Sequence, residues 1–297
     1  PYNGINDLQQ RIVRAVGVAG LRCEEDALRI LRAFRFTRRD DGELWRMDDA
    51  LRQAIVLHAT RLSMVAIERR WMEVQKILEG TRPGAVLAAM QDQGVLRHVV
   101  EHLRVLSPSL FKALDDERLV ALSLHQRLAL MMVEHPTKEA VNQLKALRTS
   151  NQLQRLTASF HERIGHLPDD DHPSLRVFNH VLTNEAEAHL KTLHVLAEGS
   201  FHLHTGRTFE PDEVSNVMKR WSTMPQRTDP VPCLVDGHWV MARTGISEGM
   251  RLGRLKQWLH RLQIEEGLST LEQMEGLLSL TPFEHGSPQD WPTPTFP

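Results

Sequence analysis

The stretch Glu24–Phe36, EEDALRILRAFRF, decides how this chain is read. Leu28, Leu31 and Phe34, with Ile30 beside them, recur at steps of three and four, the apolar period of a helix. Acidic residues open the run at Glu24, Glu25 and Asp26, where a helix dipole and unpaired N–H groups favour negative charge. Arg29, Arg32, Arg35 and Arg38 follow. The spacing predicts one helix, with Asp26 and Arg29 sharing a face because they are three apart. A carboxylate presents only acceptors, and a guanidinium presents a planar fork of donors. Such a pair can read the edge of a nucleobase. For an isolated string the bland reading is favoured: a solvated i,i+3 ion pair contributing about a few tenths of a kcal/mol.

The order of segments around the stretch shifts that balance. The chain opens PYNGINDLQQRIVRAVG, reaches EEDALRILRAFRF, and continues to AIERRWMEVQKILEG at 66–80. This series resembles the tRNA CCA-adding nucleotidyltransferases and the bacterial poly(A) polymerases related to them. In that family D-P-x-x-G-x-x-D-L precedes E-D-P-L-R-x-L-R-A-x-R-F, and S-x-E-R-I-x-x-E-L-x-K-I-L follows. The resemblance implies that Asp26, Arg29 and Arg32 bind nucleotide. It implies that Glu68, Arg69 and Glu73 brace the neck helices around the nucleotide-reading helix, direct ligand contact being the alternative. The first segment, with Asp7, is implied to be a mobile loop near the family's catalytic head that helps the site adapt between nucleotides, although a plain helix cap fits Asp7 at least equally well. Two departures stand out: Ala66 replaces the usual Ser, and Arg38-Arg39-Asp40-Asp41 stands where Arg-Leu-Gly-Phe is usual.

In the family a catalytic head precedes these motifs. It carries a glycine-rich phosphate turn, an Asp-x-Asp pair for two magnesium ions and an Arg-Arg-Asp segment for nucleotide. No such series precedes Asn3-Gly4 here. The expected fold is therefore all-α and elongated, a neck, body and tail in series without the α/β head. The expected divisions are a neck at 1–80, body helices at 81–165, a body extension and linker at 166–232, a tail at 233–281 and a Pro-rich extended end at 282–297. No catalytic residue and no metal ligand is assigned within the chain.

Composition sets outer bounds. Hydrophobic residues make 41% and charged residues 25% of 297, the balance of a globular protein. The formal net charge of −2 means that nucleic-acid contacts must come from local patches. One Tyr and few aromatics argue against a base-stacking sheet. Cys23 and Cys233 form no metal pattern, and a reducing compartment, cytoplasm or mitochondrion, is the simpler reading. No apolar run is long enough to span a bilayer.

Local signals mark the remaining elements. Asp7 is expected to cap a helix through Leu8, Ile12 and Val16. Asp40-Asp41-Gly42 reads as a turn, and Asp48-Asp49 as the start of a helix through Leu51, Ile55 and His58. Leu119–Val133 reads as one buried helix. Asn184 with Glu187, and Thr270 with Gln273, read as capping boxes. His202-Leu203-His204 alternates as metal ligands can, but a site needs further ligands. In the tail, Gly237, Gly245, Gly249 and Gly253 match the glycines of the family's closing G-x-D-L-x-x-x-G-x-x-x-G-P-x-I-G-x-x-L. Arg243, Arg251, Arg254 and Lys256 are the RNA-binding candidates there, against the alternative of a solvated basic helix face.

These readings converge on the nucleotide-selecting and RNA-binding portion of a tRNA nucleotidyltransferase. Such an enzyme adds CMP and AMP from CTP and ATP to a tRNA end, with magnesium held by its head. A catalytically inactive relative within a large ribonucleoprotein assembly, and a poly(A) polymerase, stay open.

Overall fold

A computed structural model of the chain describes residues 3–38, 43–100 and 105–297. The fold is all-α. Among the described residues the named strands form one short parallel pair, β1 (Ile12–Val13) beside β2 (Arg46–Met47), with Ile12 opposite Arg46 and Val13 opposite Met47. The chain divides into two compact units. One comprises Pro1–Gly165 and Val195–Phe209, the other His166–His194 and Glu210–Pro297.

The first unit holds α1 (Gly4–Gln9), α2 (Ala19–Glu25), α3 (Leu28–Phe36), α4 (Asp49–His58), α5 (Ile67–Leu78), α6 (Pro83–Asp92), α7 (Pro108–Leu114), α8 (Leu124–Met131), α9 (Thr137–Ala146) and α10 (Asn151–Ile164). α3 packs against α5, α2 against α4, and α8 against α10. Ile30, Leu31 and Phe34 of α3 are fully buried, as are Ile77 and Leu78 of α5. Each such side chain contributes roughly 1.5–3 kcal/mol of burial. Arg127 is an internal tie. Its guanidinium donates to the carbonyls of Leu122 (3.0 Å), Val120 (2.6 Å), Leu78 (2.5 Å) and Gly80, joining the end of α5 to the start of α8.

Several expected boundaries move. The stretch 24–36 is two helices, because Asp26 is extended at φ −149°, ψ 98°. Its carboxylate accepts the Leu28 N–H (3.1 Å) and its carbonyl the Arg29 N–H (3.0 Å). A short acidic side chain serves these free donors better from outside a helix than from within it. The expected helix from Asp7 to Val16 stops at Gln9. Arg11 takes φ 55° there, and the turn sends Ile12 and Val13 into the strand pair. Asp7 lies inside α1, buried, rather than at its cap. Leu119–Val133 is a 3₁₀ turn (Glu117–Leu119) followed by α8, which Ser123 and Gln126 start as a capping box. Asp48 does open α4, accepting the Leu51 N–H at 3.1 Å. The expected turn at 40–42, and the departure at 38–41 beyond Arg38, lie outside the described residues.

The second unit contains α11 (His172–Leu182), α13 (Pro211–Ser222), α14 (Gly237–Thr244), α15 (Met250–Glu266) and α16 (Leu271–Leu280), while α12 (Ala186–Glu198) is divided after His194. A 3₁₀ turn (Thr183–Glu185) leads into α12 where a capping box was expected. The Thr270–Gln273 box is formed. Gly245 ends α14 at φ 71° and Gly249 precedes α15 at φ 143°, conformations that disfavour any side chain. Gly237 and Gly253 have space around them and no such backbone requirement. The Pro-rich end is not a free arm. Trp291 is buried with the Leu255–Leu259 core and sits 5.4 Å from the Trp258 ring. Phe296 meets Phe178 edge-on at 5.1 Å.

Candidate functional site

A cavity of about 420 Å³ opens beside α2, α3 and β1. Arg14, Arg22, Arg29 and Arg32 line it, with Val13, Val16, Cys23 and Phe36 as its apolar wall, and no carboxylate does. The four guanidiniums differ in what holds them. Arg14 is clamped by Asp7 (3.0 Å) and by Asp48 (3.1 Å), so the turn at Arg11 brings it back onto α1. Arg22 donates to the Val16 carbonyl (3.1 Å) and to Glu25 (2.8 Å). Arg29 and Arg32 are exposed and make no carboxylate pair among the described residues; Arg32 lies 6.0 Å from the Phe36 ring. Cys23 forms part of the wall. Burial pushes its thiol up, and the neighbouring Arg29 charge opposes the shift.

Asp26 is not among the lining residues. One carboxylate oxygen caps α3, and the other stands 3.7 Å from the Arg69 guanidinium. The shared helix face expected for Asp26 and Arg29 is thus replaced by an acidic cap followed by an arginine in the first turn. Such geometry leaves the outer oxygen with a long ion pair and no hydrogen bond.

The bracing candidates separate. Glu73 is buried and stands 3.1 Å from Arg35 of α3, with Lys76 at 3.5 Å. Arg69 approaches Asp26. Glu68 instead pairs with Arg148 at 2.5 Å, which links α5 to the α9–α10 connection. The buried cation of α5 is Arg70, which donates to the His98 carbonyl at 2.7 Å.

In the tail the expected basic face is largely engaged by the chain itself. Arg251 donates to the carbonyls of Phe283 (2.7 Å) and Glu284 (3.2 Å). Arg254 donates to those of Pro288 (2.9 Å), Gln289 (2.8 Å) and Trp291 (2.7 Å). Arg243 pairs with Glu275 and stacks 4.2 Å over Trp239. Lys256 makes no ion pair among the described residues. Arg251 and Arg254 therefore pin the Pro-rich end, whereas Arg243 is exposed and tied to α16 through Glu275.

Sequence reasoning missed Arg14, Arg22, Cys23 and Phe36. Arg14 follows a β-branched pair that signals a strand, but its approach to Asp7 depends on the left-handed turn at Arg11, which no local pattern announces. His204 of the 202–204 pair stacks on His161 at 4.3 Å. Among the described residues no group of three or more His, Cys, Asp or Glu side chains converges to hold a metal. Magnesium therefore finds no fitting donor set among the described residues. No helix among the described residues is long and apolar enough to cross a membrane.

A family model described as "Probable RNA and SrmB-binding site of polymerase A" matches residues 46–106. The CCA tRNA nucleotidyltransferase 1, mitochondrial, of Danio rerio is 26% identical over 291 residues, covering 92% of this chain and 61% of that protein. A CCA-adding enzyme of Streptococcus pyogenes serotype M3 is 30% identical over 167 residues, 52% of this chain and 38% of the enzyme. In fold, the Bacillus stearothermophilus CCA-adding enzyme in complex with CTP matches with a TM-score of 0.67 at 21% identity, covering 94% of this chain and 68% of that one. The Thermotoga maritima CCA-adding enzyme complexed with tRNA matches at 0.56 and 17% identity, covering 95% and 67%. The chain is thus similar in sequence and in fold to CCA-adding enzymes. It spans 61% and 38% of the lengths of the two curated relatives.

Proposed function

We propose that this chain selects the nucleotide and holds the RNA for CCA addition to tRNA ends, with CTP and ATP as substrates. The observation that carries the reading is the carboxylate-free cavity with Arg29 and Arg32 unpaired among the described residues. Unpaired guanidiniums favour a ligand rich in acceptors and negative charge. Cytosine and adenine both present an amino donor beside a ring-nitrogen acceptor on their pairing edges, whereas uracil and guanine present a carbonyl beside N–H. In this proposal Arg29 donates to the ring nitrogen, and the outer oxygen of Asp26 accepts from the amino group. Arg32 supplies charge for the rest of the nucleotide. Glu73 and Arg69 act through α3 by fixing where Arg35 and Asp26 lie. Of the tail candidates, Lys256 is the one whose charge is open to RNA; Arg243, Arg251 and Arg254 chiefly organise the tail. Phosphoryl transfer and its magnesium are assigned to no residue of this chain. The free thiols Cys23 and Cys233 fit a reducing compartment, cytoplasm or mitochondrion.

The test is equilibrium binding of CTP, ATP, UTP and GTP to the chain, with CTP and ATP incorporation into end-truncated tRNA by any longer form. CTP and ATP should bind better than UTP and GTP. Equal binding of all four would sink the base-reading role. The description of the family model at 46–106 favours a second reading, a poly(A) polymerase or an RNA-binding assembly subunit. ATP incorporation without CTP supports the first of these, and tRNA binding without incorporation by a longer form supports the second.

A further inference from the structure

The second unit contains a cavity of about 320 Å³ in which α11 and α15 meet the connection between α13 and α14. Arg176 and Arg227 line it, together with Asn179, Gln263 and Ser269, and no carboxylate does. Its frame is rigid. The Gln263 amide uses both ends, accepting the Leu234 N–H (3.0 Å) and donating to the Pro232 carbonyl (3.0 Å). Asn179 accepts from the Trp221 indole at 2.5 Å. Arg176 is anchored through one nitrogen to the Glu265 carbonyl (2.7 Å) and lies over Gly267, where an added Cβ would come within 3.2 Å of it. Arg227 is exposed and has no ion pair among the described residues. The nearest acids in sequence are already engaged: Asp229 by the Thr228 hydroxyl (2.9 Å) and Glu265 by Arg261 (2.7 Å).

Two imidazoles stand behind the site. His180 accepts the Val231 N–H (2.9 Å), and His260 bonds the Val231 carbonyl (2.9 Å), so two imidazoles clip the connection behind the cavity. Burial lowers both, with Arg227 adding to the shift at His180 and Lys256 at His260. Two arginines, one fixed and one free of ion pairs among the described residues, thus line a small cavity walled mainly by Met224, Pro225, Val231, Ile264 and Leu268, with no carboxylate in its lining. Paired guanidiniums in this arrangement match a tetrahedral phosphate group, whose oxygens can take donors from two directions.

We propose that this cavity is a phosphate subsite for RNA, in which Arg176 and Arg227 hold one phosphodiester between them with the Ser269 hydroxyl beside it. The assignment rests on the RNA-binding part of the proposed function and gives it a location distinct from the tail arginines. Phosphate contacts of this kind position RNA without reading sequence.

The experiment is tRNA binding to the whole chain across a salt series, with inorganic phosphate as a separate probe. Arg227→Ala should weaken tRNA several-fold and reduce the slope of log affinity against log salt by about one. Arg227→Glu should weaken it further, by about tenfold or more relative to the native chain. Ser269→Tyr, which fills the cavity mouth without changing charge, should resemble Arg227→Ala. A native-like unfolding midpoint for each variant shows that the fold is kept. Native-like tRNA affinity and salt slope in Arg227→Glu, or in Ser269→Tyr, overturn the subsite while leaving the nucleotide reading and RNA binding in place. Failure of the native chain to bind tRNA overturns both. Tight binding of inorganic phosphate that does not compete with tRNA overturns the RNA assignment in favour of a free-phosphate site.

Discussion

Arg29 and Arg32 face the first unit's cavity without a carboxylate among the described residues, whereas Arg14 and Arg22 beside them are clamped. Like charges are gathered there in a way that folding alone does not reward. Removing a charged hydrogen-bond donor to a ligand costs about 1.5–3 kcal/mol. Arg29→Ala should therefore weaken CTP binding roughly ten- to hundredfold by titration calorimetry. A protein-stability change of less than about 0.5 kcal/mol is expected, since no internal partner is lost. The opposite outcome belongs to Arg127, whose four carbonyl acceptors would be left buried. Arg127→Met should lower unfolding stability by about 3 kcal/mol or more in urea. Two imidazoles add a pH dependence. Burial lowers His161 and His180 to about 4 from 6.5. Above pH 6.5 neither folded nor unfolded chain carries these protons. As pH falls from about 6.5 to about 4, the unfolded chain takes them up first, so stability declines across that window. Replacing His161 by Gln should flatten the decline in a series of melting curves between pH 7 and 4.

At the scale of elements, the junction between α2 and α3 joins fold to function. Asp26 is at once the cap of α3 and the proposed acceptor. Asp26→Ala removes both roles and should cost about 1 kcal/mol of stability. Asp26→Asn retains an oxygen for the Leu28 N–H and should stay within about 0.5 kcal/mol of the native chain. Both should relax discrimination between CTP and UTP. Unaltered discrimination in Asp26→Asn would count against the acceptor role without touching the cap. In the tail, α15 and the segment after Pro282 form a unit through guanidinium-to-carbonyl bonds and through Trp291, which is only 6% exposed. Trp291→Ala should destabilise the second unit by about 3–5 kcal/mol, and limited proteolysis should then cut within 283–297. Glycine pattern alone did not foretell this. The matched glycines mark where α14 ends and α15 begins, but which surface α15 presents depends on the strap laid across it.

Over the whole molecule, the near-neutral charge of −2 means that the proposed RNA affinity would come from a few sites. All-α class was legible because long runs of i, i+3, i+4 apolar residues survive any detail of packing, as in α5, where Ile77 and Leu78 are fully buried. Caps were legible where the side chain bonds a donor two or three residues away, as at Asp48 and Thr270. Motif order made the resemblance to CCA-adding enzymes legible, and with it the roles proposed for Asp26 and Arg29. Long-range placement was not. The return of Arg14 to Asp7 needs a left-handed turn at Arg11. The pairing of Glu68 with Arg148 spans eighty residues. The bonds from Arg251 and Arg254 to the Pro-rich end join segments that share no local pattern. Sequence by itself thus determined the all-α class, several helix starts and which residues carry charge, because those follow from contacts within a turn or two of chain. Only the tertiary structure decided which arginines are left facing a cavity, because a guanidinium's availability depends on every acceptor the fold brings to it.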